Sequence, residues 1–380
     1  MISNIVLHIG VHKTASTTIQ NTLHKEREKL AGIGILYPHF FAGKTLFINH
    51  SVPFYSLFSD HPDQYHVNIA HGYTSDEDIR AVHQEYLNQF RMQTASFQGD
   101  TMIISGEDIL HLNAKQLSKL KELLTEVTQP EVSIKVVVIC RHPVSRFRSA
   151  VQASVCNFGM GLDEATDYHL SVRKINYQML VGTFAEVFGR ENITVLKYED
   201  ILDHVYGPSG ALLELINSSI PEKIRPDVVR ANAGYTGEAV MLCDAINRTW
   251  PDMPDYTLHP ERMISIVEII KEMPGARFFL PAGTSKKVWN SLSEDIHWLT
   301  GEFSLTPYRE RNEDIQSRTE IWSRSTMDFL AENIGLFPRS YRGAIQKRLL
   351  HIAVFDPVIS ISTRIRLAGF LLFKNRGFTR

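Results

Sequence analysis

Short continuous apolar runs recur along the first half of the chain, each too brief for a helix and each ending in small or polar residues. They are Asn4-Ile5-Val6-Leu7-His8-Ile9-Gly10, Thr101-Met102-Ile103-Ile104-Ser105, Ile134-Lys135-Val136-Val137-Val138-Ile139 and Ile193-Thr194-Val195-Leu196. Continuous rather than alternating runs mark strands covered on both faces of a parallel sheet. Ile19, Leu23 and Leu30 are spaced as on one helical face and predict a helix over 16–30. Ser75, followed by Asp76, Glu77 and Asp78, predicts a helix N-terminus, with a capping hydroxyl and acids placed against the helix dipole. From about Gly207 the apolar spacing turns helical, over 238–250, 260–273 and 285–299, with breaks at Pro251, Pro254, Pro274 and Pro281. Residues 38–74 are rich in His, Pro, Gly and aromatics without a sustained period, which predicts a long loop or irregular lid. The alternation of strand and helix gives an α/β fold, with a parallel sheet flanked by helices and a helical C-terminal part.

Composition narrows the class. With 380 residues, 43% hydrophobic, and 40 Lys+Arg against 42 Asp+Glu, the chain is neither disordered nor collagen-like. A net charge of −2 gives no electrostatic footprint for nucleic acid. The charge is unevenly spread: from Arg339 onward nine basic residues face the single acid Asp356, a surplus of +8, which leaves −10 for the other 338 residues. Apolar clusters Ile352–Phe355 and Leu367–Phe373 interleave with those arginines, so the tail suits either an interfacial helix on anionic lipid or a packed helix with a solvated basic side. Cys140, Cys156 and Cys243 are odd in number and have neither disulfide nor zinc spacing. His61, His66 and His71 recur at five-residue spacing, which fits neither a helix face nor a strand face, so a solvated loop is expected there rather than a metal site. No secretory leader and no long apolar span is evident, so the expected compartment is the cytoplasm.

Two segments carry candidate chemistry. Gly10-Val11-His12-Lys13-Thr14-Ala15-Ser16-Thr17-Thr18 lies between the first strand and the first helix. A lysine followed by hydroxyl residues at a helix N-terminus offers an anion backbone N–H groups, the positive helix end, hydroxyl donors and a point charge. The same hydroxyls would serve equally as plain helix caps. The nucleotide triphosphatase pattern needs a glycine directly before the lysine, and His12 stands there. The second segment, Cys140-Arg141-His142-Pro143-Val144-Ser145-Arg146-Phe147-Arg148-Ser149, follows an apolar strand and places Arg141 and Ser149 eight positions apart. A guanidinium at a strand's carboxyl end and a hydroxyl on the next helix suit a second phosphate; an ion-paired helix start is the plainer alternative.

In this order and separation the two segments resemble the sulfotransferases that use phosphoadenosine phosphosulfate (PAPS), and most of all their bacterial carbohydrate-type members. Ile193 to Asp200, ending Tyr198-Glu199-Asp200, resembles a third stretch of that family. The resemblance covers roughly residues 3–305. It implies a P-loop-like sheet and transfer of a sulfuryl group from PAPS to a hydroxyl of a carbohydrate or glycolipid acceptor, a reaction that needs no metal. Lys13, with His12, Thr14, Ala15, Ser16, Thr17 and Thr18, would hold the 5′-phosphosulfate, and Arg141 and Ser149 the 3′-phosphate. Arg230 lies in a segment resembling a late nucleotide-covering loop. Ala15 departs from the glycine of many relatives and would hinder a positive-φ turn. Glu107, just past the strand Thr101–Ser105, is the first candidate for the general base, and His50 on the long loop is its rival. The expected organisation is a catalytic domain over 1–305, with an acceptor-side insertion over 38–100, and a basic helical extension over 306–380 that would give peripheral membrane contact. Two alternatives stay open: an ATP-dependent small-molecule or sugar kinase, and a non-catalytic nucleotide-binding scaffold.

Overall fold

The computed structural model describes residues 1–172, 174–229, 234–249, 260–310, 322–355 and 360–373. These fall into two compact units. The first comprises Met1–His142, Asn176–Ala231 and Asp295–Tyr308, and the second Pro143–Ile175, Asn232–Glu294 and Arg309–Arg380. The expected boundary near 306 lies close to the division at Tyr308, but the second unit also takes in two earlier segments of the chain.

The first unit is built on strands β1 (Asn4–His8), β2 (Ile35–Leu36), β3 (Phe40–Ala42), β4 (Thr45–Phe47), β5 (Thr101–Ser105), β6 (Ser133–Cys140) and β7 (Ile193–Lys197). Five of them form a parallel sheet in the order β2-β5-β1-β6-β7. The four apolar runs are β1, β5, β6 and β7, and their burial explains their continuity: Leu7, Met102, Ile103, Ile104 and Val136 to Cys140 are all 0% exposed. Each fully buried Val, Leu or Ile contributes roughly 1.5–3 kcal/mol. Because β1 is central, with β5 on one side and β6 on the other, the chain departs in opposite directions around it, the condition that opens a crevice at the carboxyl edge of such a sheet.

Two expectations are corrected. The helix over 16–30 is two helices, Ser16–Lys25 and Arg27–Gly32, divided at Glu26, whose buried carboxylate accepts a hydrogen bond from Asp227 N (3.1 Å) and pairs with Lys29 (2.6 Å). The segment 38–74 is not a loose loop. It forms the β3–β4 hairpin, the helix Ser51–Phe58 and shorter turns, and its aromatics are core: Phe40 and Phe54 pack edge-on to Tyr86 and Phe90 of the helix Asp76–Ser96. The Ser75 cap is as expected, its hydroxyl accepting from Asp78 N at 3.2 Å.

The second unit is helical, with Gly237–Thr249, Pro260–Lys271 and the basic tail helices Arg339–Phe355 and Ile361–Phe373. Ile345, Leu349, Ile352, Leu367 and Phe370 of the tail join Leu242, Ile246 and Phe278 in one core. The three cysteines are free and buried, and burial pushes the Cys140 thiol up to about 12. Among the described residues, no helix is long and apolar enough to cross a membrane.

Two neutral histidines stitch the edge of β5. His8 meets the Ser105 hydroxyl at 2.8 Å, and His50 accepts from Ser105 N (2.9 Å) while donating to Pro38 O (2.7 Å). Burial lowers both from 6.5 to about 4, against the raising influence of Glu107 on His8 and of Pro38 on His50, while His24 and His39 lower His50 further. Below pH 6.5 the unfolded chain therefore takes up protons that the folded chain refuses. Stability should fall as pH drops from about 6.5 towards 4, by up to about 3 kcal/mol for each histidine. Denaturant unfolding at several pH values measures this slope, and His50→Gln should remove about half of it. A flat profile would contradict the assignment.

Candidate active site

At the carboxyl edge of the sheet, pairing of β1 with β6 continues past the strand. Ile9 N and Val11 N donate to Val137 O and Ile139 O, each at 3.1 Å. The chain then turns sharply. Gly10 has φ +86°, a conformation that strains other residues, and a Cβ there would press on Glu107 Cβ at 3.1 Å. Lys13 (φ 70°) and Ala15 (φ 67°) also adopt positive φ, the conformation that alanine was expected to hinder. The buried Thr14 hydroxyl closes the turn by donating to Val11 O at 2.5 Å. Ala15 begins the helix Ser16–Lys25 without a side-chain cap, at the end where the helix dipole favours an anion.

Glu107 opens a 3₁₀ turn, Glu107–His111, directly after β5. Gly106 makes this approach feasible, since a Cβ on it would lie 2.5 Å from Ser51 N. Glu107 Oε1 stands 3.7 Å from His12 Nδ1. Burial pushes the Glu107 carboxyl up, but hydrogen bonding to His12, the charge of His12, the Ser16 hydroxyl and Lys13 together hold it below the ordinary carboxylate value. Burial also lowers the Lys13 ammonium; Glu107 opposes that shift and the neighbouring Arg141 adds to it. Lys13 is thus a desolvated cation, whose charge an arriving anion would stabilise. The Ser16 hydroxyl is buried beside the Glu107 carboxyl.

Arg141 leaves the end of β6. Its Nη1 donates to Lys13 O at 2.7 Å, and its guanidinium lies over the Tyr198 ring at 4.3 Å. The residues after β7 complete this edge: Glu199 accepts from His142 N (3.1 Å) and from the Tyr308 hydroxyl (2.8 Å), and Lys197 Nζ sits 4.7 Å from the Tyr308 ring centroid. His12, Lys13, Glu107 and Arg141 are therefore brought together by the ends of three adjacent strands.

The other sequence candidates are placed differently. His50 is fully buried with both ring nitrogens engaged, so it positions the chain between Pro38 and Ser105. Thr17 is exposed, while Thr14, Ser16 and Thr18 are buried. Ser149 lies on the helix Pro143–Cys156 of the second unit. Arg230 lies outside the described residues. Sequence reasoning missed Tyr65, Asp108 and His111. The available signal was the Asp-x-x-His spacing in 108–111, since residues three apart eclipse on a 3₁₀ turn.

The turn yields a stability prediction. Ala15→Gly should release the cost of a left-handed alanine, about 1–2 kcal/mol, against about 0.4–1 kcal/mol of added unfolded-chain entropy. The denaturant midpoint of this variant should stay level or rise. A loss above about 1 kcal/mol would show that the alanine side chain packs favourably enough to outweigh its backbone cost.

No protein-family model matches the chain, and no curated protein matches it. Among solved structures it is similar to the sulfotransferase from Alicyclobacillus acidocaldarius, at 13% identity and a TM-score of 0.41, over 80% of this chain and 97% of that one.

Proposed function

We propose that this protein is a sulfotransferase that transfers the sulfuryl group of PAPS to a hydroxyl of a glycan or glycolipid acceptor. The observation that carries the reading is that the turn after β1, which bears Lys13, brings His12 Nδ1 to 3.7 Å from Glu107 Oε1 beyond β5, because the reaction needs a cation and a base near one reacting centre. The three stretches that resemble the family agree with it: in the first unit the Lys13 turn, Arg141 and Tyr198-Glu199 all lie on one sheet edge. The donors suit an anionic nucleotide, with a desolvated ammonium, a buried hydroxyl and an uncapped helix N-terminus.

In this reaction the acceptor oxygen forms a bond to sulfur as the bond from sulfur to the bridging oxygen breaks. The electron pair remains on the departing 5′-phosphate, and Lys13 with the first-turn N–H groups would stabilise that charge. The acceptor proton passes to Glu107. His12, Ser16 and Lys13 keep that carboxyl ionised, the form that can take a proton, although the same neighbours weaken it as a base. Arg141 fixes the Lys13 carbonyl and adds a second cation for the nucleotide. His50, fully buried and doubly bonded, is a positioning residue in this scheme.

Glu107→Gln should leave PAPS affinity within about threefold and lower kcat roughly 10²–10⁴-fold, the usual contribution of a general base. Lys13→Ala should weaken nucleotide binding and abolish transfer. Parallel assays with labelled PAPS and with ATP, over a glycan panel, measure both; consumption of ATP without sulfate transfer would replace the reading with a kinase.

Peripheral lipid contact through the basic tail belongs to the same proposal. Leu350, Val354, Phe355, Ile361 and Ile365 are each more than half exposed on the two tail helices. Full-length protein should co-sediment with anionic but not neutral vesicles, and Phe355→Asp should reduce the bound fraction severalfold. Equal recovery with both vesicle types would remove this contact.

A further inference from the structure

Beside the turn that carries Lys13, three groups with metal-ligating atoms converge from separate parts of the chain. His12 Nε2 lies 3.2 Å from His111 Nε2 and 3.4 Å from Asp108 Oδ1, and the three ligand atoms lie within 4.8 Å of one another. Ligands about 2.0–2.1 Å from a tetrahedral zinc ion stand about 3.3 Å apart along the edges of the tetrahedron. The two separations of 3.2 and 3.4 Å match that edge.

The supporting groups are arranged as a metal site needs. Glu107 Oε1 stands 3.7 Å from His12 Nδ1, the placing of a carboxylate that orients a ligating imidazole with its Nε2 towards the ion. The Tyr65 hydroxyl donates to Asp108 Oδ2 at 2.7 Å, which orients Oδ1 towards His12. The Ser51 hydroxyl accepts from Asp108 N at 2.9 Å and anchors the turn. The imidazoles of His12 and His111 are stacked, with centroids 5.4 Å apart and their Nε2 atoms 3.2 Å apart.

The geometry points to a divalent transition-metal site formed by His12 Nε2, Asp108 Oδ1 and His111 Nε2, of a kind suited to Zn²⁺. Two imidazoles and one carboxylate select a borderline cation over Mg²⁺ or Ca²⁺, which take oxygen ligands. Three protein ligands leave one or more positions open, and exposed His111 puts the site within reach of solvent. The cation would also link the Lys13 turn to the turn after β5, since His12 belongs to the first and Asp108 and His111 to the second. This inference does not depend on sulfuryl transfer, because it is read by metal binding alone.

The test is calorimetric titration of chelator-stripped, full-length protein with Zn²⁺ alone, with zinc content measured after gel filtration. One zinc per chain is expected, and no comparable uptake of Mg²⁺. His111→Ala, on an exposed residue, and Asp108→Asn should each weaken zinc binding by about 100-fold or more, and Tyr65→Phe by about tenfold, the range for partners that orient a ligand. Thermal unfolding of each apo variant checks that the fold is kept. Absence of stoichiometric zinc in the wild type, equal binding of Mg²⁺, or unchanged affinity in both His111→Ala and Asp108→Asn would each overturn the site.

Discussion

The turn from Gly10 to Ala15 holds three residues at positive φ, and two of them, Lys13 and Ala15, bear side chains that make this conformation costly by about 1–2 kcal/mol each. Such strain persists only where the surroundings over-determine it. Here the determinants are visible. The ladder from Ile9 and Val11 to β6 fixes one end, and the Thr14 hydroxyl bridges the middle. Arg141 holds the Lys13 carbonyl. Without that turn, Lys13 would not stand beside Glu107, nor His12 beside Asp108 and His111.

Electrostatics then gives the turn its chemical character. Burial opposes ionisation of both Lys13 and Glu107, and each is the counter-charge that partly restores the other. Arg141, held close by hydrogen bonding and by the Tyr198 ring, is a second cation that Lys13 must tolerate. A cluster in which like charges are kept together by packing is poised for an anion that relieves both. His12 connects this cluster to the acidic and imidazole groups of the next turn, with Nδ1 towards Glu107 and Nε2 towards Asp108.

Elements with a strong period were legible, and those made of short pieces were not. The parallel strands announced themselves because burial on both faces demands uninterrupted apolar residues. Residues 38–74 gave no period, since a three-residue strand or an eight-residue helix is too short to show one, yet Phe40 and Phe54 anchor a core against Tyr86 and Phe90. The basic tail is a similar case. Part of its charge binds helix-end carbonyls: Arg342 donates to Phe337 O and Gly335 O, and Arg364 to Ala353 O and Val354 O. Leu349, Ile352, Leu367 and Phe370 meanwhile complete the core of the second unit.

By itself the sequence determined the α/β class, the positions of β1, β5, β6 and β7, and the placing of Lys13, Glu107 and Arg141 at the ends of apolar runs, because these follow from local periodicity and chain order. Only the tertiary structure decided which side chains meet. Parallel pairing of β1 with β5 brings residues about 95 positions apart into contact, His8 with Ser105 and His12 with Glu107, Asp108 and His111. It also withdrew His50 into the interior, where two hydrogen bonds and burial keep it neutral. Chain-distant contacts of this kind depend on sheet register and packing, which no local pattern of residues encodes.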